Sequence, residues 1–274
     1  MSIQEKYLQL KEILQSMERV VVAFSGGVDS ALVLKVAADV LGSEKVLAVT
    51  ADSESYPREE LKAAITFTET MGLNGNHLVI KTEELENPNY AANAPSRCFF
   101  CKDELYTQLK RISEEKGIKH ILDGCNVSDQ GDFRPGREAA KKHGVRSPLI
   151  EAGLNKEEIR EISKNLGLAV WDKPALACLS SRIPYGQMVT KEKLSKIEQA
   201  ESFLRSLGFG QLRVRHHENI ARVELEPTEF PKFLDAEIRE KVYKKFREIG
   251  YLYVTLDLQG YRSGSMNEVL RKKE

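Results

Sequence analysis

Six consecutive residues, Ser25-Gly26-Gly27-Val28-Asp29-Ser30, have the types and spacing that phosphate chemistry needs. Two adjacent glycines let the backbone turn sharply and aim amide N–H groups into one concavity. A helix opening near Ser30 adds the positive end of its dipole. Ser25 and Ser30 supply hydroxyl donors, and Asp29 a carboxylate for Mg2+. Together they read as a phosphate cradle with a metal ligand. It is not the Walker type, because no Gly-Lys-Ser/Thr closes it. A plain strand-to-helix turn would explain the glycines but not the serines and the acid around them.

The cysteines form the second chemical group. The chain has four, Cys98, Cys101, Cys125 and Cys178. Cys98-Phe99-Phe100-Cys101 is a C-x-x-C pair whose sulfurs can reach one metal or cluster, or close as a redox disulfide. Cys178, in Ala177-Cys178-Leu179-Ser180-Ser181-Arg182, is distant in sequence. Three thiolates are one short of a closed four-cysteine cage. A 4Fe–4S cluster held that way keeps one iron open for hydrosulfide, as a sulfur-transferring enzyme requires. A structural zinc completed by histidine, or unconnected buried thiols, would also satisfy the spacing. Cys125, just after Asp123-Gly124, reads as a packing residue. His216 and His217 are adjacent on a strand, point to opposite faces and read as structural. Trp171, Tyr251, Tyr253 and Tyr261 read as packing or interface residues.

The elements that must position these residues alternate strand and helix. Residues 20–24, 46–51, 77–80 and 120–123 read as buried parallel strands, and 31–41, 58–71 and 102–116 as the helices between them. A later helix, 156–166, has Asn155 as N-cap and Glu158 in the capping-box position. The pattern predicts an α/β fold with a doubly wound parallel sheet and ligands at the carboxyl ends of its strands. Ser25, Thr50 with Ala51, and the stretch from Asp123 and Gly124 to Asp129 all fall at such ends. Pro184 and Gly186 interrupt the pattern, which sets domains of 1–186 and 187–274. The second reads as a small α+β module: helix 191–207, strands 212–216 and 220–226, a mostly helical 229–249 and a strand 251–258.

Composition sets the frame. The 274 residues carry 41 basic and 41 acidic side chains, so no net field draws nucleic acid. The charged amphipathic start, with Leu8, Leu10, Ile13 and Leu14 on one face, lacks a signal-peptide core, and no stretch suits a membrane span. The cytoplasm is the expected compartment.

Ser-Gly-Gly-x-Asp-Ser after a first strand resembles the PP-loop of the N-type ATP pyrophosphatases. That resemblance implies ATP cleaved between the α- and β-phosphates, an adenylylated intermediate, pyrophosphate release, and displacement of AMP by ammonia or sulfur. Six motifs narrow it: 23–30, Asp132-Phe133-Arg134-Pro135-Gly136, 180–186, Arg213-Val214-Arg215, 220–224, and Gly260-Tyr261-Arg262-Ser263-Gly264. Together they resemble the LarE family of sulfur transferases over nearly the whole chain. The family implies ATP-dependent conversion of the carboxylates of pyridinium-3,5-biscarboxylic acid mononucleotide to thiocarboxylates, for the nickel-pincer cofactor of lactate racemase. One branch sacrifices a cysteine one residue before Cys178, where this chain has Ala177. The other uses a C-x-x-C and a third cysteine to hold a 4Fe–4S cluster, and Cys98, Cys101 and Cys178 match it.

Within that frame the cradle Ser25, Gly26, Gly27, Asp29 and Ser30 holds ATP and Mg2+. Thr50, Ala51 and Gly124 line the nucleotide, and Asp129 is a second Mg2+ ligand or a turn acid. Lys102 offsets charge in the adenylyl transition state, or merely begins a helix. Arg182, Arg213, Arg215 and Arg262 are expected on the substrate phosphate, which guanidinium forks match. Glu201 and Glu224 read as ion-pair partners of Lys or Arg ahead of cation ligands. The expected partners are ATP, the small nucleotide and a sulfide donor, in a homo-oligomer that the resemblance suggests is a hexamer. A tRNA thiolase is the alternative function, which the neutral charge disfavours.

Overall fold

The computed structural model describes residues 1–73, 75–131, 135–174, 177–262 and 264–268. Asp132, Phe133, Arg134 and Ser263, four of the motif residues above, lie outside them. In chain order the elements are α1 (Ile3–Gln15), β1 (Val20–Ala23), α2 (Val28–Leu41), β2 (Val46–Asp52), α3 (Arg58–Thr70) and β3 (His77–Lys81). Next come α4 (Pro88–Ala91), α5 (Arg97–Glu115), β4 (His120–Leu122), α6 (Gly136–Lys142), α7 (Pro148–Glu151) and α8 (Lys156–Asn165). The remainder are α9 (Lys191–Ser206), β5 (Leu212–His217), β6 (Ile220–Leu225), α10 (Phe230–Leu234), α11 (Ala236–Ile249) and β7 (Tyr253–Leu256). Among the described residues no helix is long and apolar enough to cross a membrane.

The chain packs as two units, Met1–Glu84 with Ser96–Leu176, and Leu85–Pro95 with Ala177–Glu274. The turn around Pro184, expected at a boundary of 186/187, therefore lies inside the second unit. The reason is local. Asn93 Nδ2 donates to the carbonyls of Ile183, Pro184 and Gln187, and Val189 N–H donates to Ala91 O. These bonds tie the segment around α4 to that turn.

The first unit is the predicted doubly wound α/β layer. Its four strands are parallel in the order β3-β2-β1-β4. Alternate residues of β1 and β2 feed opposite cores, as the period of two requires. Val20, Val22, Val46 and Ala48 pack with α1, α2, α3 and α8, while Val21, Ala23, Leu47 and Val49 pack with Leu105, Tyr106, Leu109 and Ile112 of α5. Strand order reverses between β1 and β4, and the crevice at such a reversal is where ligands enter. The buried face of α1 differs from the expected one. Leu10 and Leu14 are buried with Ile3 and Tyr7 beside them, at helical spacing, while Leu8 is exposed.

The second unit has the strand order β5-β6-β7, antiparallel and then parallel. Leu212, Val214, Ala221, Val223 and Leu225 pack beneath α9 and α11. The alternate residues Arg213, Arg215, Arg222 and Glu224 share the other face. The helical stretch 229–249 breaks at Asp235, whose carboxylate caps the amides of Glu237 and Ile238.

Candidate active site

The Ser25–Ser30 loop joins β1 to α2 at the sheet's reversal point. Gly26 takes φ +67°, and a Cβ there would meet Ala64 Cβ and the Tyr56 hydroxyl at 3.3 Å. Three successive carbonyls are tied: Ser25 O accepts from Tyr56 Oη at 2.9 Å, Gly26 O from Lys173 Nζ at 3.1 Å, and Gly27 O from Ser30 Oγ at 3.1 Å. In a trans peptide the N–H points opposite to the carbonyl. The amides of Gly26, Gly27 and Val28 are thereby aimed away from those donors. Gly27 is the N-cap of α2 and supplies no side-chain cap, so the first-turn amides remain for an anion. Ser30 Oγ uses its proton on Gly27 O and accepts from Ser25 N–H at 3.2 Å. Ser25 Oγ lies 3.1 Å from Ser30 Oγ on an exposed residue, where its hydroxyl can turn to a ligand.

Asp29 lies in the first turn of α2. Its Oδ2 meets Lys156 Nζ at 2.5 Å, and its Oδ1 accepts from Asn126 Nδ2 at 3.2 Å. Asn126 N–H donates to Asp129 Oδ2 at 3.1 Å. One asparagine thus brackets both predicted Mg2+ carboxylates. Two carboxylates beside a phosphate cradle suit a hard cation, which Mg2+ sites complete with nucleotide phosphate and water. Gly124 is what lets the end of β4 approach: a Cβ there would lie 2.6 Å from Ser30 N. Thr50 is buried and donates its hydroxyl proton to Phe24 O at 2.9 Å. Its side chain is engaged within the protein, with Phe24 O and His77 Nε2. Ala51, next on β2, is half-buried.

Helix α5 starts at Arg97, five residues ahead of the expected 102, so Cys98 and Cys101 sit on its first turns. Positions i and i+3 share a helix face. Cys98 is exposed and Cys101 half-buried. Gly136 packs against that turn, where a Cβ would stand 3.0 Å from Lys102 Cγ and 3.5 Å from Cys98 O. Lys102 Nζ lies 5.8 Å from the Tyr106 ring centre. Burial, and then the Asp123 carboxylate, push the Cys125 thiol up to about 12, with Lys102 opposing them. Cys125 therefore stays protonated near neutral pH, as a packing thiol does. Asp123 is buried and accepts from Tyr106 Oη, Ser147 Oγ and Cys125 N–H.

In the second unit Cys178 is half-buried and precedes a short turn, Leu179–Arg182. Arg182 and Glu201 are both fully buried and pair through two bonds, Nε–Oε1 at 2.8 Å and Nη2–Oε2 at 3.0 Å. Burial pushes the Glu201 carboxyl up, but the Arg182 and Arg205 guanidiniums and the Val214 amide together outweigh it and hold the carboxyl below the usual range. Arg215 pairs with Glu224 at 2.7 Å and donates to Ser265 Oγ at 2.8 Å and Ser181 O at 3.0 Å, while its buried Nε has no hydrogen-bond partner. Arg213 lies over the Tyr261 ring at 5.1 Å, and burial, followed by the nearby Arg182 charge, lowers it to about 10. Arg262 is half-exposed and pairs with Glu268 at 3.2 Å. Glu201 and Glu224 are thus ion-pair partners of arginine, as expected. His216 is buried against Tyr251 Oη at 3.1 Å, and burial, with Lys193 and Lys196, lowers it to about 4, a structural histidine.

Thiolates are the natural ligands of iron–sulfur clusters, and two of the three candidates share one helix face. The donor chemistry therefore suits a cluster. Among the described residues no three His, Cys, Asp or Glu side chains already stand together as a metal site. Cys98 and Cys101 belong to the first unit and Cys178 to the second.

The sequence pattern alone does not reveal Tyr56, Asn126, Lys156 and Lys173 as residues of the site. Lys156 carries a signal: it follows the N-cap Asn155, where a cation opposes the helix dipole.

The NAD synthase family profile matches residues 2–94. Over 269 residues the chain is 40% identical to the pyridinium-3,5-bisthiocarboxylic acid mononucleotide synthase of Lactiplantibacillus plantarum, covering 98% of this chain and 96% of that one. The chain belongs to that synthase's family, the LarE family. It is also 46% identical over 270 residues to the uncharacterized protein slr1717 of Synechocystis, covering 98% of this chain and 100% of that one. A shorter stretch of 172 residues, 57% of this chain and 40% of the other, is 27% identical to the argininosuccinate synthase of Pyrococcus furiosus. LarE membership and the α/β fold bear out the resemblance read from the sequence.

Proposed function

We propose that the protein is an ATP-dependent sulfur transferase that makes the bisthiocarboxylic acid mononucleotide from pyridinium-3,5-biscarboxylic acid mononucleotide. What carries this reading is the relationship over 98% of the chain to a synthase of that name, joined to a complete cradle between β1 and α2. The aimed amides of Gly26, Gly27 and Val28 grip the β- and γ-phosphates, and the Ser25 hydroxyl joins them. Asp29 and Asp129 would hold Mg2+, which when bound would neutralise charge on the departing pyrophosphate. A substrate carboxylate oxygen attacks the α-phosphorus, the α–β bridge breaks, and the acyl adenylate forms. Lys102 offsets charge on the adenylyl group. Sulfur then attacks the activated carbonyl and AMP leaves.

Cys98, Cys101 and Cys178 would hold a 4Fe–4S cluster. When bound, such a cluster supplies an open iron able to carry sulfide. Arg213, Arg215 and Arg262 meet the substrate phosphate. The buried Arg215 Nε, left without a protein acceptor, supports an anion or water at that face. The protein works as a homo-oligomer in the cytoplasm, where reducing conditions keep thiols available.

The test is anaerobic. Reconstituted protein is given ATP, Mg2+, sulfide and the dicarboxylate nucleotide. The expected product gains mass by one oxygen-to-sulfur exchange per carboxylate, with one AMP and one pyrophosphate for each, while tRNA gains none. Pyrophosphate release without sulfur incorporation, or sulfur found on tRNA, overturns the reading.

A further inference from the structure

Arg182 commits its guanidinium to its own turn and to one buried carboxylate. Its Nη1 folds back on its own turn and donates to Ala177 O at 2.6 Å, Cys178 O at 3.0 Å and Ser181 Oγ at 2.9 Å. Its Nε and Nη2 grip both oxygens of Glu201. Glu201 is itself fixed from the core: Oε1 accepts from Val214 N–H of β5 at 3.0 Å, and Oε2 from Arg205 on the next turn of α9 at 3.0 Å. A rigid frame of helix and strand thus sets a carboxylate, the carboxylate sets a guanidinium, and the guanidinium sets two consecutive carbonyls.

The second of those carbonyls belongs to Cys178. It also accepts from Ser181 N–H at 3.0 Å, and Ser181 O in turn accepts from Arg215 Nη1 at 3.0 Å. Ser180 Oγ is held by Tyr90 Oη at 2.6 Å. Two peptide planes next to the cysteine are therefore fixed, leaving the thiol little beyond its χ1 rotation. Arg182 and Glu201 are both 0% exposed, so solvent does not compete for the two bonds between them.

We propose that Arg182 and Glu201 are positioning residues that fix the Cys178 thiol, and that Arg182 is not a phosphate ligand. The link from thiol position to sulfur chemistry rests on Cys178 being the third cluster cysteine. The positioning itself does not.

The test uses the full chain in the Arg182→Lys and Glu201→Gln variants, with Arg205→Gln as control. Arg205 pairs with the same carboxylate from the α9 side, and its loss leaves both bonds between Glu201 and Arg182 in place. Each variant, prepared anaerobically without iron, is alkylated and the rate at each cysteine is read by peptide mass spectrometry. The expected result is several-fold faster alkylation of Cys178 in both test variants. Cys98, Cys101 and Cys125 should react at wild-type rates, and Arg205→Gln should leave Cys178 unchanged. After reconstitution the test variants retain iron about 10- to 100-fold more weakly, as loss of an outer partner does. Their KM for ATP stays at the wild-type value. Should Arg182→Lys fail to fold, the near-isosteric Glu201→Gln carries the comparison. Wild-type alkylation of Cys178 in the folded variants, with a raised KM for the nucleotide substrate, would overturn the inference and restore Arg182 to the phosphate. Faster alkylation in a protein whose wild type binds no iron would uphold the positioning and sink the cluster reading alone.

Discussion

Lys156 Nζ stands 2.5 Å from Asp29 Oδ2, although the two residues belong to different helices, α8 and α2. The lysine and the Mg2+ proposed for this carboxylate therefore compete for one oxygen. Asp29→Asn removes the negative charge from both, and pyrophosphate release should fall about 100-fold or more, near 3 kcal/mol of transition-state stabilisation. Lys156→Gln should act differently. It removes the competitor, so half-maximal activity is reached at lower Mg2+, while KM for ATP rises about tenfold through loss of a cation near the phosphates. A Mg2+ titration of pyrophosphate release on both variants separates the two effects.

Gly124 sits where β4 meets the start of α2, and a Cβ there would come within 2.6 Å of Ser30 N. The obstacle is backbone, which cannot rotate aside. Gly124→Ala should push the first turn of α2 away from β4 and disturb the cradle. An overpacking cost of about 1–3 kcal/mol is expected. Thermal unfolding reads that loss, and a raised KM for ATP reads the displaced amides.

How much of this is legible in the chain depends on whether a residue's role is local. The Ser25–Ser30 hexad and the capping box of Asn155 and Glu158 are local, and both stand where the pattern puts them. The start of α5 comes earlier than the pattern indicates because Cys-Phe-Phe-Cys has weak helix propensity, although Pro95-Ser96 is a serviceable start signal. Lys156 and Lys173 reach the loop only because α8 packs back against α2 and the segment after it returns to Gly26. No spacing encodes that. Arg182 has the sequence context of an anion ligand, and its complete burial against Glu201 is not readable from its neighbours.

His77 links the nucleotide strand to pH. Its Nε2 lies 2.9 Å from Thr50 Oγ1 and its Nδ1 lies 2.8 Å from Thr68 Oγ1. Thr50 gives its one proton to Phe24 O and so accepts from Nε2–H, while Thr68 Oγ1 lies 2.8 Å from Ile65 O as well as from Nδ1. Burial lowers His77 below its ordinary 6.5, against an opposing pull from Glu69. A depressed histidine contributes stability that is complete above the unfolded value and is lost as pH falls through the folded one. The wild type should therefore lose thermal stability, and then ATP affinity, on acidification below about 6.5. Thr50→Val cuts the chain at its middle, costs about 1–3 kcal/mol for the orphaned partners, and flattens the pH dependence. Comparing KM for ATP between variant and wild type at each pH cancels the nucleotide's own titration.

Tyr56 offers the narrowest test of how the cradle is aimed. Its hydroxyl donates to Ser25 O at 2.9 Å, and burial, then the Glu60 charge, raises its pKa, so it remains a donor throughout the working range. Removing that donor frees the peptide between Ser25 and Gly26 to rotate, and the Gly26 amide loses its fixed direction. Lys173 still holds the next carbonyl while pairing with Glu60 at 2.6 Å, so the loop should not collapse. Tyr56→Phe should therefore cost about 1 kcal/mol, a several-fold rise in KM for ATP with little change in unfolding temperature. Lys173→Met in the same background removes the second tie and should multiply the loss beyond the product of the single effects, since both act on adjoining peptides. Isothermal titration with a non-hydrolysable ATP analogue across the four proteins measures that coupling directly. If the two losses simply add, the carbonyls are not aiming the amides together.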